Sequence, residues 1–529
     1  MTVRIGVALA VTAVLFAAAV PPIGVSPLAL VALAPLIWAV TRAPSGRAAV
    51  GRGALVSLAV TLLVFHWLPG SVHAFFDLSP VWSWIVFPLY GLVGQPQLLI
   101  WALVRWRWRK QHGVVTMLAS AAAYTGLDWL LPKLFHDTLG VAFFSLGAPF
   151  AGGSAGWVIQ VIDLGGIYLL TFVAMFTTEL VHAAAVAVRG TPDAAARRSL
   201  RVGAALAAAV WVAIFAYGGI RRAQITDALG AAPTLAVGVV QANIGNIEKE
   251  MASRGDIDGI VGTLRTYGEL SDRLATSAHP PELLLWPETA YPLAYGAHRS
   301  PTDDGIDDEL ATYVRQRKLP LLFGGYDRRG DVEFNSALLL TPAGELTTYH
   351  KRILIPFGEY IPLLGHARFG TGGTPRVIDV PRAAGAAVRI APLICYEALF
   401  TDHAAGGVAD GARALVNLTN DSWFVSSAEK RLHLVMSALR SLETRRAQVR
   451  ATNTGISALI LPTGEIVAPG PEDEPAALSY AVPLLDLAAT PVVRWGNWPG
   501  PISLALLAVL MLHARLRAGR SATRRRAGR

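Results

Sequence analysis

Residues 387–400 read AVRIAPLICYEALF, a short apolar run that ends on Cys395 and is followed at once by Tyr396-Glu397. Short and mostly apolar, it predicts a buried strand over 387–395 with the cysteine at its C-terminal end. That end is where α/β domains display reactive groups. The plainer reading is a small buried hydrophobe closing an apolar strand. Cys395 is the single cysteine among 529 residues, which excludes an internal disulfide framework and any cysteine-based metal cluster.

The same kind of run recurs at 234–243 (TLAVGVVQAN), 282–286 (ELLLW), 320–326 (PLLFGGY), 334–341 (FNSALLLT), 413–418 (RALVNL) and 456–461 (ISALIL). Segments with helical spacing lie between several of them, at 255–277, 305–317 and 428–446. Strands alternating with helices predict a layered α/β domain of about 265 residues. TPAGEL at 341–346 and LPTGEI at 461–466 read as hairpin turns, each with a glycine before a glutamate. No fixed period suggests a repeat array.

Before residue 230 the chain changes character. It is 53% hydrophobic and 16% charged overall, with a mean hydropathy of +0.44, too apolar for an ordinary soluble protein. Residues 1–229 hold only 22 of the 83 charged side chains, so the two parts meet different solvents. Apolar runs near 4–21, 27–41, 53–69, 81–104, 114–132, 157–186, 203–220 and 500–514 give eight candidate spans. The first follows Arg4, but further spans come close behind and Pro21-Pro22 reads as a turn, so it is expected to be an anchor and not a signal peptide.

Basic residues near spans are retained on the cytoplasmic side. Alternate connections carry Arg42, Arg47 and Arg52, then Arg105, Arg107, Arg109 and Lys110, then Arg189, Arg197, Arg198 and Arg201, and then the arginines of the tail from Arg515 to Arg529. The opposite set has Lys133, Arg221 and Arg222. Both termini are therefore expected inside, with everything from about 222 to 497 on the outer face. The expected domains are a bundle over 1–222, an extracytoplasmic domain over 230–497, and a last helix with its basic tail over 498–529. A net charge of +9 and a pI near 9.8 would suit nucleic acid binding, but basic residues placed at span ends argue for membrane topology instead. Trp106 and Trp108 among those arginines read as an interfacial anchor. Asp128, Asp163 and Glu179 lie in or near spans, where a carboxylate marks either a functional or paired site or simply a span end at the interface.

A free thiol ionises with a pKa of about 8.5 and needs a base or a positive neighbour to attack a carbonyl. Glu288 follows an apolar strand in LLLWPET, with Pro287 turning the chain out of the sheet. Lys351 follows Tyr349-His350 and precedes RILIPFGEYIP. A carboxylate there can take the thiol proton and hand it on, and an ammonium can stabilise a tetrahedral oxyanion. Taken singly, Glu288 also reads as an acid at a helix N-terminus and Lys351 as a surface charge.

Five segments in order carry a resemblance: LLLWPETAYP at 283–292, YHKRILIPFGEYIP at 349–362, ICYEALF at 394–400, NLTNDSWF at 417–424 and RATNTGISALI at 450–460. They resemble the nitrilase superfamily, whose members use Glu, Lys and Cys in that chain order. Over nearly the whole chain they are similar, more closely, to the bacterial apolipoprotein N-acyltransferase family. The resemblance implies an αββα sandwich inserted before the last helix of an eight-span transmembrane bundle. It implies Glu288 as general base, Lys351 as oxyanion stabiliser and Cys395 as nucleophile. Glu359 is then a supporting residue near the Lys and the base, and Glu397 one that positions the substrate or the cysteine loop. Tyr396 and Trp423 would line the acyl pocket, although core aromatics look the same in sequence.

The implied reaction moves an acyl chain from a membrane phospholipid to the lipidated N-terminal cysteine of an apolipoprotein through a thioester, with no metal or organic cofactor. The implied site is the bacterial inner membrane, with the catalytic domain on the periplasmic face and both termini cytoplasmic. A monomer is expected, since nothing demands a partner subunit. Two positions depart from the family pattern: Gly245 stands where many members have Pro, with no Trp near Glu250, and Val425 stands where Gly is usual. The alternatives are a membrane-tethered amidase acting on a small amide, which would not need the membrane half, and an inactive scaffold, which would not need all three reactive residues.

Overall fold

The structure, a computed structural model, describes residues 2–21, 23–76, 79–111, 113–134, 145–151, 156–245, 257–297, 300–356, 358–361, 366–373 and 376–527. Pro22, Glu250 and Arg529 lie outside them. The chain divides into two units, one of Met1–Pro69, Pro80–Ile220 and Asn497–Arg529, the other of Gly70–Ser79 and Arg221–Gly496.

The first unit is helical. Among the described residues seven helices are long and apolar enough to cross a membrane: Thr2–Ala19, Gly46–Val64, Pro80–Arg107, Val114–Leu134, Val158–Val188, Ala194–Gly230 and Pro499–Leu516. The expected run at 27–41 is shorter, a 3-10 turn Ser26–Leu30 followed by a helix Ala34–Thr41. Pro27 and Pro35 each start one of these pieces, because a residue without an N–H is tolerated only in a first turn. Gly165 and Gly166 interrupt the longest buried helix, Gly166 at φ +65°.

The three carboxylates read in or near spans, Asp128, Asp163 and Glu179, are all buried. Glu179 takes Arg105 on both oxygens, at 2.6 and 3.1 Å, with the two residues 2% and 6% exposed. Asp163 accepts from the Tyr217 hydroxyl at 2.7 Å, and Asp128 is buried. Glu179 is therefore a paired site and not a carboxylate at a wet span end. Trp106 donates to the Ala43 carbonyl at 2.9 Å with Arg109 over its ring, while Trp108 is buried among the helices.

The second unit is built on two six-stranded sheets. The first runs in the order β14-β1-β2-β3-β4-β5, with β1 Thr234–Gln241, β2 Leu283–Trp286, β3 Leu321–Arg329, β4 Val332–Leu340, β5 Leu346–His350 and β14 Ala476–Pro483. The second runs β13-β12-β11-β10-β9-β8, with β8 Ile378–Val380, β9 Val388–Ile394, β10 Ala414–Thr419, β11 Ala447–Thr452, β12 Ala458–Ile460 and β13 Ile466–Val467. Three central strands of each sheet are parallel, β1-β2-β3 and β9-β10-β11. The short pair β6 (Tyr360–Ile361) and β7 (His366–Ala367) stands apart from both.

Alternation along the strands decides the layering. Leu235, Val237 and Val239 of β1, Leu283 and Leu285 of β2, Ala414, Val416 and Leu418 of β10, and Ala447, Val449 and Ala451 of β11 share one buried cluster, so the two sheets pack face to face. Residues of opposite parity in β2 and β3, Leu284, Trp286, Leu321 and Phe323, point outward onto Ile260, Tyr267 and Leu274 of the helix Ile257–Ala275 and onto Ile306, Leu310 and Val314 of Pro301–Arg317. On the far side Leu393 and Leu415 meet Ala404 and Val408 of the helix Thr401–Ala409, and Ala458 and Ile460 meet Leu434 and Ala438 of Ser427–Thr444. The order is helix, sheet, sheet, helix. Both expected hairpin turns form: Gly344 at φ +85° closes β4 onto β5, and Gly464 at φ +83° closes β12 onto β13.

Candidate active site

Three loops leaving strand ends carry the candidate site residues. Glu288 follows β2, Lys351 follows β5 and Cys395 follows β9. Cys395 itself has φ +50°, a left-handed conformation that costs a side-chain-bearing residue energy and turns the chain sharply from strand into the 3-10 turn Cys395–Leu399. Glu288, Lys351 and Cys395 are 6%, 0% and 6% exposed.

Lys351 is the hub. Its Nζ donates to Glu288 Oε1 at 3.1 Å and to Glu359 Oε1 at 2.9 Å. Burial alone would strip its proton, yet the Glu288 and Glu359 carboxylates hold the ammonium above its ordinary pKa, so it stays charged. Glu288 Oε2 accepts the Asn420 N–H at 3.1 Å, and Glu359 Oε2 accepts the Ile355 N–H at 2.8 Å. The Cys395 thiol lies within the field of this group. Burial and the Glu288 carboxylate push it well above its ordinary pKa, opposed by the Lys351 ammonium and by a hydrogen bond with the Thr419 hydroxyl. Register explains that last partner: Leu418 pairs with Ile394 across the parallel β10-β9 ladder, which sets Thr419 beside Cys395.

Glu397 works behind the cysteine. Fully buried in the cysteine loop, it accepts Ile394 N–H at 2.7 Å from the end of β9, Arg352 N–H at 2.6 Å from the lysine loop and the Tyr349 hydroxyl at 2.9 Å, with His403 Nε2 at 3.5 Å. Burial would raise its pKa, but His403 and the two backbone donors bring it below the usual carboxylate range. Its carboxylate thus clasps the two loops together. Tyr396 is half-buried with its ring edge-on to Phe400 at 4.9 Å, and Trp423, at the end of the turn Asp421–Trp423, is 37% exposed.

The structure adds residues that sequence reasoning passed over. Asn335, inside the run FNSALLL, donates from Nδ2 to both Glu288 and Glu359. Asn453 donates to Asn420 Oδ1 at 3.0 Å and to the Ile244 carbonyl at 2.7 Å, so it fixes the corner that holds Glu288 and ties it to the exit of β1. Asp421 takes Arg450 at 2.7 Å and His433 at 2.9 Å, and Arg450 also reaches Asn417 at 2.6 Å. Asn453, Asp421 and Arg450 lie in the segments NLTNDSWF and RATNTGISALI, where their density of polar side chains beside strands was the available signal. Asn335 offered none.

Comparison with known proteins bears on both units. A family model described as carbon-nitrogen hydrolase matches residues 236–492, and one described as apolipoprotein N-acyltransferase N-terminal domain matches residues 12–180. The apolipoprotein N-acyltransferase of Azotobacter vinelandii is 33% identical over 517 residues, covering 93% of this chain and 90% of that protein. That of Pseudomonas putida is 30% identical over 95% of each chain. Among solved structures, an amidase from Nesterenkonia sp. is similar over 48% of this chain and 91% of its own, at 18% identity and a TM-score of 0.37.

Proposed function

The chain belongs to the apolipoprotein N-acyltransferase family, and from that premise we propose that its three strand-end residues move an acyl chain from a membrane phospholipid to the α-amine of a diacylglyceryl-cysteine. It is a multi-pass membrane enzyme of bacterial lipoprotein biosynthesis, an acyltransferase with a nitrilase-superfamily domain. The observation that carries the residue assignment is the placement of Lys351, dry and charged between Glu288 and Glu359 and beside the one thiol.

With its pKa raised, the resting sulfur carries a proton, so attack needs a base at that moment. Glu288 takes the proton as sulfur bonds to the ester carbonyl carbon, and Lys351 faces the oxyanion that forms. The carbon–oxygen bond to glycerol breaks, Glu288 returns the proton to that oxygen, and a lysophospholipid leaves behind a thioester. The free α-amine of the lipidated cysteine then attacks the thioester carbonyl and gives its proton to Glu288. The carbon–sulfur bond breaks, sulfur recovers the proton, and an amide remains. Glu359 holds Lys351, Glu397 holds the two loops, and Tyr396 and Trp423 receive the acyl chain.

Transfer outruns hydrolysis because both substrates live in one leaflet, which raises their effective concentration beside a dry site. In keeping with the basic residues between spans, residues 230–497 lie on the periplasmic face, carried by a bundle over 1–222 and a last helix over 498–529. Both termini are cytoplasmic. One chain supplies every reactive group, so a monomer suffices. The test is direct: full-length protein incubated with radiolabelled phospholipid should gain a hydroxylamine-labile label on Cys395, absent from Cys395→Ala. An unlabelled wild type contradicts the proposal.

A further inference from the structure

Asn335 lies on β4, where Ser336 pairs with His350 of β5. Its main-chain carbonyl accepts the Lys351 N–H at 2.8 Å. Its side-chain Nδ2 donates to Glu288 Oε1 at 2.8 Å and to Glu359 Oε1 at 3.1 Å, the same two oxygens that take Lys351 Nζ. The arrangement is a closed diamond, with two carboxylate oxygens at opposite corners and an ammonium and an amide at the others.

Charge makes the fourth corner necessary. One ammonium between two carboxylates leaves a like-charge pair only partly compensated in a buried site, and two such groups push apart unless donors hold them. An amide supplies two donors to the pair without adding a charge that could titrate. It does so at a cost, for Asn335 is 3% exposed and its Oδ1 has no hydrogen-bond partner among the described residues. Packing alone would favour an apolar side chain, like its β4 neighbours Ala337, Leu338 and Leu339.

We infer that Asn335 is a positioning residue, whose amide pins Glu288 against Glu359 so that Oε1 stays engaged with Lys351 while Oε2 stays at the Thr419-Asn420 corner beside the Cys395 thiol. The inference rests on the proposed role of Glu288 as base. It acts on both half-reactions, since the same carboxylate takes the thiol proton and later the amine proton.

The test measures the rate of thioester formation on Cys395 from radiolabelled phospholipid in full-length protein. Asn335→Asp has nearly the same shape but replaces the amide donors with a third carboxylate. It should slow acylation on the order of 10- to 100-fold, the worth of hydrogen bonds to a charged group, with KM for the lipid unchanged. A packing role predicts that Asn335→Leu, of similar volume but without donors, stays within about threefold of wild type, whereas pinning predicts a loss on the order of 10-fold or more. Should Asn335→Asp fail to fold, a double-mutant cycle of Asn335→Ala with Glu359→Gln decides. Neutralising Glu359 removes the repulsion that Asn335 offsets, so the two losses should fall well short of their product. Losses that multiply, or an Asn335→Asp rate within about threefold of wild type, overturn the inference. A wild type that forms no thioester at all would overturn the role of Glu288 and Cys395 instead, whatever the Asn335 variants do.

Discussion

The signs of the electrostatic effects on Cys395 give the sharpest expectations at the scale of single residues. Burial and Glu288 raise the thiol pKa and Lys351 lowers it, so alkylation by iodoacetamide at neutral pH should be slower than for a free cysteine and should speed up as pH rises. Glu288→Gln removes a charge that disfavours the thiolate and should make alkylation faster, whereas Lys351→Met should make it slower still. Equal rates in the two variants would refute this field at the thiol. Lys351→Met also strands two buried carboxylates and should cost about 3–5 kcal/mol in a denaturant titration. Glu397 has a folded pKa below its unfolded one, so its contribution to stability is present above the ordinary carboxylate range and is lost as pH falls through the lowered value. Glu397→Gln should therefore flatten the acid limb of the stability curve, and an unchanged acid limb would contradict that linkage. Glu288, Lys351 and Cys395 were legible in sequence because each follows an apolar strand and the surrounding segments match a family. Asn335 was not, since one polar residue in a run such as FNSALLL looks like a strand's solvent side. Only the β4-β5 register shows that it faces Lys351.

Among elements, β3 has a requirement that its composition does not advertise. Gly324 follows Phe323, which pairs with Trp286, and a Cβ there would stand 2.5 Å from both the Glu288 Cα and the Pro287 carbonyl oxygen. Main chain is on both sides, so no rotamer change relieves the clash. Gly324→Ala should cost about 1–3 kcal/mol, as overpacking does, and should slow thioester formation by moving Glu288. A variant as stable and as fast as wild type would mean that the β2 exit is free to shift. Seven strands and three helices of the α/β unit follow the apolar runs and helical spacing read from sequence, within a few residues at their ends. Those that escaped share physical causes. β11 is AQVRAT, where Gln448 and Arg450 break the apolar pattern because they bond to Ser437, Asn417 and Asp421 inside the unit. β14 is alanine-rich, and β8 and β13 are edge strands of three and two residues, too short for periodicity. In the helical unit the two prolines of 26–41 shortened the one run that an apolar count could not distinguish from the rest.

At the scale of the whole molecule, the division into an apolar part and an α/β part was readable from the imbalance of charge alone, because water and lipid select different side chains. The pairing of the two sheets was less so, since a strand's sequence names its buried face without naming what covers it. The proposed orientation makes a separate prediction. Fusing a reporter that is active only in the cytoplasm after residue 527 should give signal, and fusing it within 222–233 should give none. The opposite pattern would place the proposed catalytic residues on the wrong side for an apolipoprotein substrate. The most direct measurement follows the acyl group itself. Acyl-enzyme formed from radiolabelled phospholipid is freed of excess lipid and mixed with a diacylglyceryl-cysteine peptide bearing a free α-amine. Label should leave Cys395 and appear on the peptide in a hydroxylamine-stable amide. Label released only as free fatty acid would show a hydrolase and contradict the proposed transfer.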